Sequence, residues 1–519
     1  MSAERRGTAP TFDGKRVRAF AWRQRVGEDS LKKVNRVLQS LMLALFALLL
    51  LLGIVMWLLG NPEHRSYPAA LLLGAAAACI LTLLFAKGML FRAWLNRRNP
   101  VLAAAVLFLI CVVLNGVLAY RFRPAQAPDF QTFWTAAKEL AEGQPLSASR
   151  YLALFPHILG YSWFLSFFLR LFGTTLMTAA LVNVMLGALT GLGIFVLCRM
   201  WSDTADACAA FLLWILCPSR LLYSVMCLSE PYYTCLLILF FLLVAGLEKS
   251  GGNRNRFFFC ICGLLAGTLL RAVNTARPIG MIPVIALLLW LLLLDDTRRE
   301  TKRASHWGLF CLLLLFSYLC LGAAWEKYAT ELLDQPPASV PGYSIYVGFN
   351  QETQGTYADS DMELLAGQYE ELDYQAQAAQ NRMLQDAKER IRSAGRAIPK
   401  LMLRKLGTLL GYDEGGVYYC GESLSPGAYK LLCVLSNAWY YGVAVLTLPA
   451  CFRIGRRNRS ALLLPLFAVG LILAQLLVEV AARYHYALIP VFLVMAMTAG
   501  PGSSVWINEK AKTRKESKP

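Results

Sequence analysis

Segments of about 20 consecutive apolar residues recur along most of the chain, and this feature limits its fold more than any other. Such a segment is long enough to cross a bilayer as one helix, and in lipid the backbone must satisfy its own hydrogen bonds. Hydrophobic residues make up 57% of the chain, and the mean hydropathy is +0.47. The sequence therefore predicts an all-α polytopic membrane protein.

The formal net charge of +18 would suit a nucleic-acid-binding protein, but the distribution of the basic residues argues against one. Lys and Arg occur in short clusters between apolar segments and in both tails, as in the cytoplasmic loops of membrane proteins. We therefore expect cytoplasmic termini and no nucleic-acid partner. Most of the 14 Cys lie inside apolar segments, so neither a disulfide framework nor a metal cluster is predicted.

The clusters of basic residues also divide the chain into parts, which together predict about 12 to 13 transmembrane helices. The parts are a basic cytoplasmic tail (1–37), two N-terminal spans (38–99), a transmembrane core (100–326) with its first external loop at 121–153, an external soluble or membrane-surface region (327–427), C-terminal spans (428–501) and a basic cytoplasmic tail (502–519). Within the external region, residues 361–393 are predicted to form one polar helix.

Four apolar segments lie between the first external loop and the basic loop at 249–256, which is predicted to be cytoplasmic. Because the two loops are on opposite sides of the membrane, an odd number of these segments must cross it. The segments are 154–171, 174–200, 205–226 and 229–247. Pro218 and Pro231 interrupt the apolar pattern, so we expect broken helices near 205–235. Unwound backbone at membrane depth is tolerated where it lines a polar cavity, which makes this stretch a candidate cavity wall.

The first external loop begins with an acid, Asp129, directly after Pro128. A short amphipathic helix follows, and the chain returns to the membrane past Tyr151 and His157. Because Asp is a favoured helix N-cap, a capping role is one interpretation. The other is a general base, since a carboxylate at the membrane surface can take the proton of an incoming hydroxyl group.

Glu230 is a second acid next to a proline, in the sequence CLSEPYY. One interpretation is a first-turn acid that the helix dipole stabilises. The other is a catalytic acid that orients the acceptor or holds a divalent metal ion, for which Glu230 and Asp129 are the candidate ligands. His157 and His485 have no neighbour at metal-ligand spacing, so we expect them to form hydrogen bonds rather than to bind zinc.

Three arginines lie near the predicted outer face, namely Arg271, Arg277 and Arg483. An arginine at the membrane interface often extends its side chain toward the headgroups, which would be a structural role. A planar guanidinium also suits bidentate binding of a phosphate, so each is a candidate clamp for the phosphate of a lipid carrier. Ionisable residues at membrane depth are costly, which favours a functional role for them.

In their order along the chain, these residues resemble the GT-C superfamily of membrane glycosyltransferases. The nearest group is glycosyltransferase family 39, which contains the protein O-mannosyltransferases and the bacterial aminoarabinose transferase. The matching positions are Asp129-Phe130, Phe133-Trp134, Ala136-Ala137, Gly143, Tyr151 and Phe155-Pro156, then Glu230-Pro231, Arg277-Pro278-Ile279-Gly280, and Arg483-Tyr484 with Pro490. The external piece from Gly342 to Asp361 is similar to a segment of Firmicutes members, and the resemblance covers about 100–500.

The resemblance implies a GT-C-like bundle in a bacterial cell membrane, with the active site outside and a sugar donor carried on polyprenyl phosphate. Asp129 and Glu230 would be catalytic, and Asp129 would deprotonate a hydroxyl of an envelope polymer, a lipid or a protein in an inverting displacement. The residues that would bind the substrate and the lipid phosphate are Arg277, Arg483, Arg271, Tyr151, His157, His485 and Tyr484. A divalent metal ion is left open as a cofactor.

Two other functions stay open at this point. A flippase or transporter of lipid-linked sugars would also use broken helices and charges at membrane depth, although the chain shows no two-fold repeat. A structural scaffold for envelope assembly would not need Asp129. Asp359-Ser360-Asp361 matches the acid-x-acid pattern of soluble glycosyltransferases, but it lies on the wrong side for cytosolic nucleotide sugars, and we assign it no binding role.

Overall fold

The computed structural model describes residues 14–498 apart from 62, 65, 88, 251–254, 295–300 and 458–459, so the predicted tail at 502–519 lies outside it. All regular structure in these residues is helical, which confirms the all-α prediction. The α-helices are α1 (Gly14–Gly60), α2 (Ser66–Lys87), α3 (Met89–Asn96), α4 (Pro100–Arg121), α5 (Pro128–Glu142), α6 (Ser149–Leu154), α7 (His157–Phe172), α8 (Leu176–Trp201), α9 (Thr204–Ile215), α10 (Pro218–Tyr223), α11 (Glu230–Lys249), α12 (Arg256–Ala276), α13 (Met281–Leu289), α14 (Thr301–Leu333), α15 (Gly342–Gly348), α16 (Asp359–Glu371), α17 (Ala376–Ala394), α18 (Ile398–Leu410), α19 (Gly415–Tyr419), α20 (Pro426–Arg457), α21 (Leu463–Leu476) and α22 (Leu488–Thr498).

Eight helices of the described chain are long and apolar enough to cross a membrane, as a multi-pass protein requires. Their apolar parts are Lys33–Gly60, Ser66–Leu84, Pro100–Arg121, Leu176–Trp201, Glu230–Lys249, Arg256–Ala276, Ala304–Leu333 and Pro426–Ile454. Shorter apolar helices lie at Thr204–Ile215, Met281–Leu292, Ser460–Leu476 and Leu488–Thr498. Many large apolar side chains of these long and short helices face outward, as expected of helices that contact lipid.

The two N-terminal spans are packed into the bundle. The helix α1 begins at Gly14, inside the stretch that we predicted as a tail, since the sequence from there to Gly60 contains no proline. A Cβ atom added to Gly74 in α2 would lie 2.3 Å from the carbonyl oxygen of Ala438 in α20. The backbones of these two helices therefore touch, as small residues allow in membrane bundles.

The helical pattern breaks where Pro218 and Pro231 predicted it. The helix α9 ends at Ile215, the short α10 begins at Pro218, and α11 begins only at Glu230. The unwound backbone between α10 and α11 is satisfied by side chains, because the amide of Asn183 donates to the carbonyl of Met226 at 2.8 Å. This break places Glu230 at the start of a helix inside the bundle.

Residues 327–427, which keep the name external region from the prediction, fold as several short helices. The sequence had predicted a single polar helix at 361–393. That stretch divides into α16 and α17, because Asp373 and Tyr374 adopt left-handed backbone angles (φ 50° and 58°) that end the first helix. Asp361, the second acid of the acid-x-acid sequence, is buried and forms an ion pair with Arg390 at 3.0 Å. Its contacts are thus structural.

A buried lysine joins this external region to the bundle. The ammonium of Lys405, in α18, donates to the carbonyl oxygens of Gly348 at 2.7 Å, Leu476 at 2.8 Å and Val478 at 2.6 Å. Gly348 and Leu476 are the last residues of α15 and α21, so the cation lies at two helix C-termini, where it is electrostatically favoured. Gly355 (φ 78°) contacts the lysine stem, and a Cβ there would lie 2.8 Å from the Cδ of Lys405.

Replacing Lys405 with methionine is expected to lower the free energy of unfolding by about 2–5 kcal/mol, because it leaves buried carbonyl groups without a donor. Unfolding in mixed detergent micelles measures the change. Lys400→Met on the exposed side of the same helix is the matched control and should have little effect. Equal stability of both variants would show that the three hydrogen bonds do not hold the external region.

Candidate active site

Asp129 lies at the start of α5, but it does not cap the helix. Ala127 occupies the N-cap position, Pro128 is the first helical residue, and Asp129 follows it in the first turn. Its side chain is 53% exposed. The capping interpretation is therefore wrong, and the carboxylate is accessible to a molecule outside the helix.

Glu230 is the first residue of α11 and is almost fully buried, at 3% exposure. A first-turn acid is favoured by the helix dipole, so part of the structural interpretation holds. The side chain also has a charged partner, because its Oε1 lies 3.8 Å from the Nε of Arg483. A buried carboxylate requires such a partner to remain charged.

Arg483 connects three separate parts of the chain. It lies in a short 3₁₀ helix, Ala482–His485, and one Nη donates to the Oδ2 of Asp129 at 2.9 Å. The other Nη donates to the hydroxyl of Tyr419 at 2.9 Å. With Glu230 on its third side, the guanidinium lies between the two carboxylates that the sequence selected. The first external loop and the C-terminal spans thus meet here.

Arg277 supplies the second cation of the site. It ends α12 as the C-cap, with its backbone N–H donating to the carbonyl of Val273. Its guanidinium lies 3.9 Å above the ring centre of Tyr484, which is a cation–π contact. Tyr484 in turn donates from its hydroxyl to the Oε1 of Glu479 at 3.4 Å. Arg277, Arg483 and Tyr484 therefore lie together, as predicted.

Tyr151 and His157 line the side of the site formed by the first external loop. The ring of Tyr151 lies 4.9 Å from that of Phe155, and His157 follows at the start of α7. The charges of Arg277, Asp129 and Arg483 act on the imidazole of His157. Both predicted residues are thus close to the charged centre.

Arg271 is not part of this site, contrary to the prediction. It lies on the face of α12 that packs against α14, with its guanidinium 5.6 Å from the ring centre of Tyr318. One Nη donates to the carbonyl of Gly322 at 3.4 Å. Its role is helix packing.

His485 also points away from the site, because two residues along a 3₁₀ helix rotate the side chain by about 240° from that of Arg483. The imidazole is buried, with Nδ1 2.8 Å from the carbonyl oxygen of Leu409 and Nε2 3.5 Å from Oδ1 of Asp413. It therefore anchors the short helix that carries Arg483.

A chain of hydrogen-bonded polar groups connects His485 to the N-terminal spans. The amide N–H of Asp413 donates to the side chain of Asn437 at 2.9 Å. Asn437 donates to Oε1 of Glu414 at 2.6 Å, and Tyr67 at the start of α2 donates to its other oxygen at 3.4 Å. The N-terminal spans thus support the position of Arg483 from behind.

Several residues near the charged centre were not predicted from the sequence, among them Glu479, Tyr419 and Tyr357. Glu479 could have been found, because it is a carboxylate between the apolar end of α21 and Arg483. Tyr419 and Tyr357 lie in the external region, and only the docking of that region on the bundle brings them close.

The residues present do not fit a divalent metal ion. Within the described part of the chain, no three His, Cys, Asp or Glu side chains are grouped so that they could hold one. Arg483 lies between Asp129 and Glu230, where the metal was expected, and is within ion-pair distance of each.

No protein-family model matches the chain, and no curated protein matches it. Two solved structures of ArnT from Cupriavidus metallidurans are similar to it. The one bound to undecaprenyl phosphate has 10% sequence identity and a TM-score of 0.33, covering 76% of this chain and 77% of that chain. The apo structure has 11% identity and a TM-score of 0.34, covering 78% of each chain. These values are too low to establish a shared fold or activity.

Proposed function

We propose that the protein is a membrane glycosyltransferase of the GT-C type. It moves a sugar from a polyprenyl-phosphate donor to a hydroxyl group of an acceptor on the external side of the membrane. The observation that carries this proposal is the meeting of Asp129, Glu230, Arg277 and Arg483 from four separate segments of an apolar bundle. Charges at membrane depth are costly, so such a group indicates a site for a charged, lipid-linked substrate.

The two arginines are the groups that bind the donor phosphate. Arg483 already forms hydrogen bonds with both Nη groups, and a phosphate would take the place that the Asp129 carboxylate holds. The Asp129 side chain is half exposed, so its ion pair with Arg483 is weak and easily exchanged. Donor binding thus frees the Asp129 carboxylate from its cation.

The freed carboxylate of Asp129 then acts as the base. It takes the proton of the acceptor hydroxyl as that oxygen attacks the anomeric carbon, and the bond from this carbon to the phosphate oxygen breaks. Polyprenyl phosphate leaves with the bonding electron pair, and the guanidinium groups of Arg277 and Arg483 stabilise the charge that develops on it. A single displacement of this kind inverts the anomeric centre.

A flippase of lipid-linked sugars is the second candidate, and the unwound backbone between α10 and α11 favours it. The two functions differ in the fate of the donor. A flippase has no need of a base, whereas the proposed transfer depends on Asp129.

The test is a transfer assay on purified protein in detergent. Radiolabelled polyprenyl-phosphate sugars are mixed with a cell-envelope extract, and label in the extract is followed. Transfer by the wild type supports the glycosyltransferase. Absence of transfer with every donor, together with movement of label across liposomes, would support the flippase instead.

A further inference from the structure

Glu479 lies in a segment without regular structure that is nevertheless held in place from three sides. Its backbone N–H donates to the carbonyl of Ser344 at 2.7 Å, and the N–H of Val480 donates to that of Gly355 at 2.9 Å. Lys405 donates to the carbonyl of the preceding residue, Val478, at 2.6 Å. The external region thus fixes this carboxylate at the edge of the charged centre.

The carboxylate of Glu479 contacts Tyr484, whose ring centre lies 3.9 Å from the guanidinium of Arg277 and 5.7 Å from that of Arg483. Its Oε1 accepts a hydrogen bond from the hydroxyl of Tyr484, and the ring of Tyr484 forms a cation–π contact with Arg277. Burial raises the pKa of Glu479, whereas the charges of Arg483 and Arg277 lower it. Burial is the larger effect, so the pKa of Glu479 lies above its ordinary value. In the hydrogen bond from Tyr484, the Glu479 carboxyl is the acceptor.

Tyr343, the residue before Ser344, is only 3% exposed. Its buried hydroxyl group has no hydrogen-bond partner in the described residues. Its ring lies 5.6 Å from that of Phe155, which also packs against Tyr151. Burial and then the charge of Glu479 raise the pKa of the Tyr343 hydroxyl. A buried hydroxyl without a hydrogen-bond partner is costly. We therefore expect a bound substrate to supply the partner of the Tyr343 hydroxyl.

Two further phenols lie on elements that contact this segment. Tyr151 packs against Phe155, which also contacts the ring of Tyr343. Tyr357 is two residues from Gly355, whose carbonyl accepts from the N–H of Val480. Burial raises the pKa of Tyr151, and the charges of Asp129 and Glu479 raise it further. Tyr357 is 52% exposed, on the connection between α15 and α16, and Asp129 and Glu479 are among the charges that act on it. The phenols come from the first external loop and from the external region.

We propose that Glu479, Tyr151, Tyr343 and Tyr357, named here the Glu479 pocket, bind the hydroxyl groups of the sugar that is transferred. This inference rests on the proposed function and adds the class of sugar. Glu479 accepts hydrogen bonds from ring hydroxyls, and Tyr343 donates to a ring or hydroxyl oxygen. Two carboxylates near the sugar, Glu479 and Asp129, repel an acidic sugar. The pocket therefore selects neutral polyhydroxylated sugars and rejects uronic acids.

The test measures binding, so that it does not depend on turnover. Affinities are compared for short-chain polyprenyl phosphate alone and for the same carrier linked to glucose, mannose or glucuronic acid. Wild type is expected to bind the glucose- or mannose-linked carrier about tenfold or more tightly than the bare carrier, and the glucuronic acid form more weakly than either. Glu479→Gln and Tyr343→Phe should each lose most of the gain from the neutral sugar, measured as the ratio of its affinity to that of the bare carrier. Tyr343→Phe should bind the bare carrier as wild type does, and Glu479→Gln as tightly or slightly more tightly, because it removes a negative charge near Arg277 and Arg483.

Glu479→Gln should also bind the glucuronic acid form more tightly than wild type does, and a misfolded variant would not show such a gain. A sugar-dependent gain that both variants retain would overturn the Glu479 pocket. Binding of the bare carrier without any gain from a sugar would overturn the pocket while leaving phosphate binding in place. Failure of wild type to bind any of these carriers would overturn the proposed function and the pocket together.

Discussion

Replacing Asp129 with asparagine is expected to lower the rate of sugar transfer by roughly 10²- to 10⁴-fold, the usual contribution of a general base. The amide cannot take the proton of the acceptor hydroxyl, and it has no negative charge to compete for Arg483. We therefore expect polyprenyl phosphate to bind Asp129→Asn as tightly as wild type or a few times more tightly. Initial rates of transfer and equilibrium binding of the carrier, measured on the same preparations, separate these two effects.

Glu142→Gln is the matched control for Asp129→Asn, because it removes an acid at the other end of α5. Glu142 is exposed and forms only a long ion pair with Lys138, at 4.0 Å. Its loss should leave transfer and binding unchanged. Full transfer activity of Asp129→Asn, at normal expression, would show that Asp129 is not the base.

Replacing Arg483 with lysine is expected to weaken binding of polyprenyl phosphate by about 10- to 100-fold, since a hydrogen bond to a charged group contributes about 1.5–3 kcal/mol. Lysine keeps the positive charge next to buried Glu230, so the variant should fold. It cannot contact Tyr419 and a phosphate at once in the planar geometry of the guanidinium. The rate of sugar transfer should also fall, because the leaving polyprenyl phosphate loses the guanidinium that stabilises its charge.

Arg271→Gln is the matched control for this arginine, since it removes a cation of the same bundle that packs between α12 and α14. Carrier affinity should stay close to that of wild type. Equal weakening in both variants would show that the loss of affinity is not specific to Arg483. An unchanged affinity in Arg483→Lys would assign the phosphate to another group.

The fold was accessible from sequence because a bilayer requires long apolar segments, and each leaves a local signal. The break near Pro218 and Pro231 was accessible for the same reason, since proline interrupts the helical hydrogen bonds locally. The turn that divides α16 from α17 left no comparable signal. It depends on left-handed backbone angles at Asp373 and Tyr374, and a tyrosine rarely adopts them.

The acids and arginines of the site were accessible because each is an ionisable residue in or beside an apolar segment. The same criterion selected Arg271 and His485, which face other parts of the bundle. Their positions along the chain do not give the side of the helix that meets the site. Tyr343 and Tyr357 were missed because they approach Glu479 only through the docking of the external region, which depends on contacts between distant residues.

The structure also links the N-terminal spans to the candidate site. Tyr67, Glu414, Asn437 and Asp413 form a buried polar chain that ends at His485, two residues from Arg483. Buried polar groups are costly unless they are paired, so a connected chain of this kind fixes the relative positions of its helices. We therefore expect the first two spans to be required for phosphate binding.

A doubly labelled donor shows whether the protein breaks the bond between the sugar and its lipid carrier. Proteoliposomes receive polyprenyl phosphate labelled with tritium and linked to a sugar labelled with carbon-14, together with an acceptor extract. We expect the two labels to separate, with carbon-14 in the acceptor fraction and tritium in free polyprenyl phosphate, and we expect Asp129→Asn to prevent this. Movement of both labels together across the bilayer, unaffected by Asp129→Asn, would contradict this expectation.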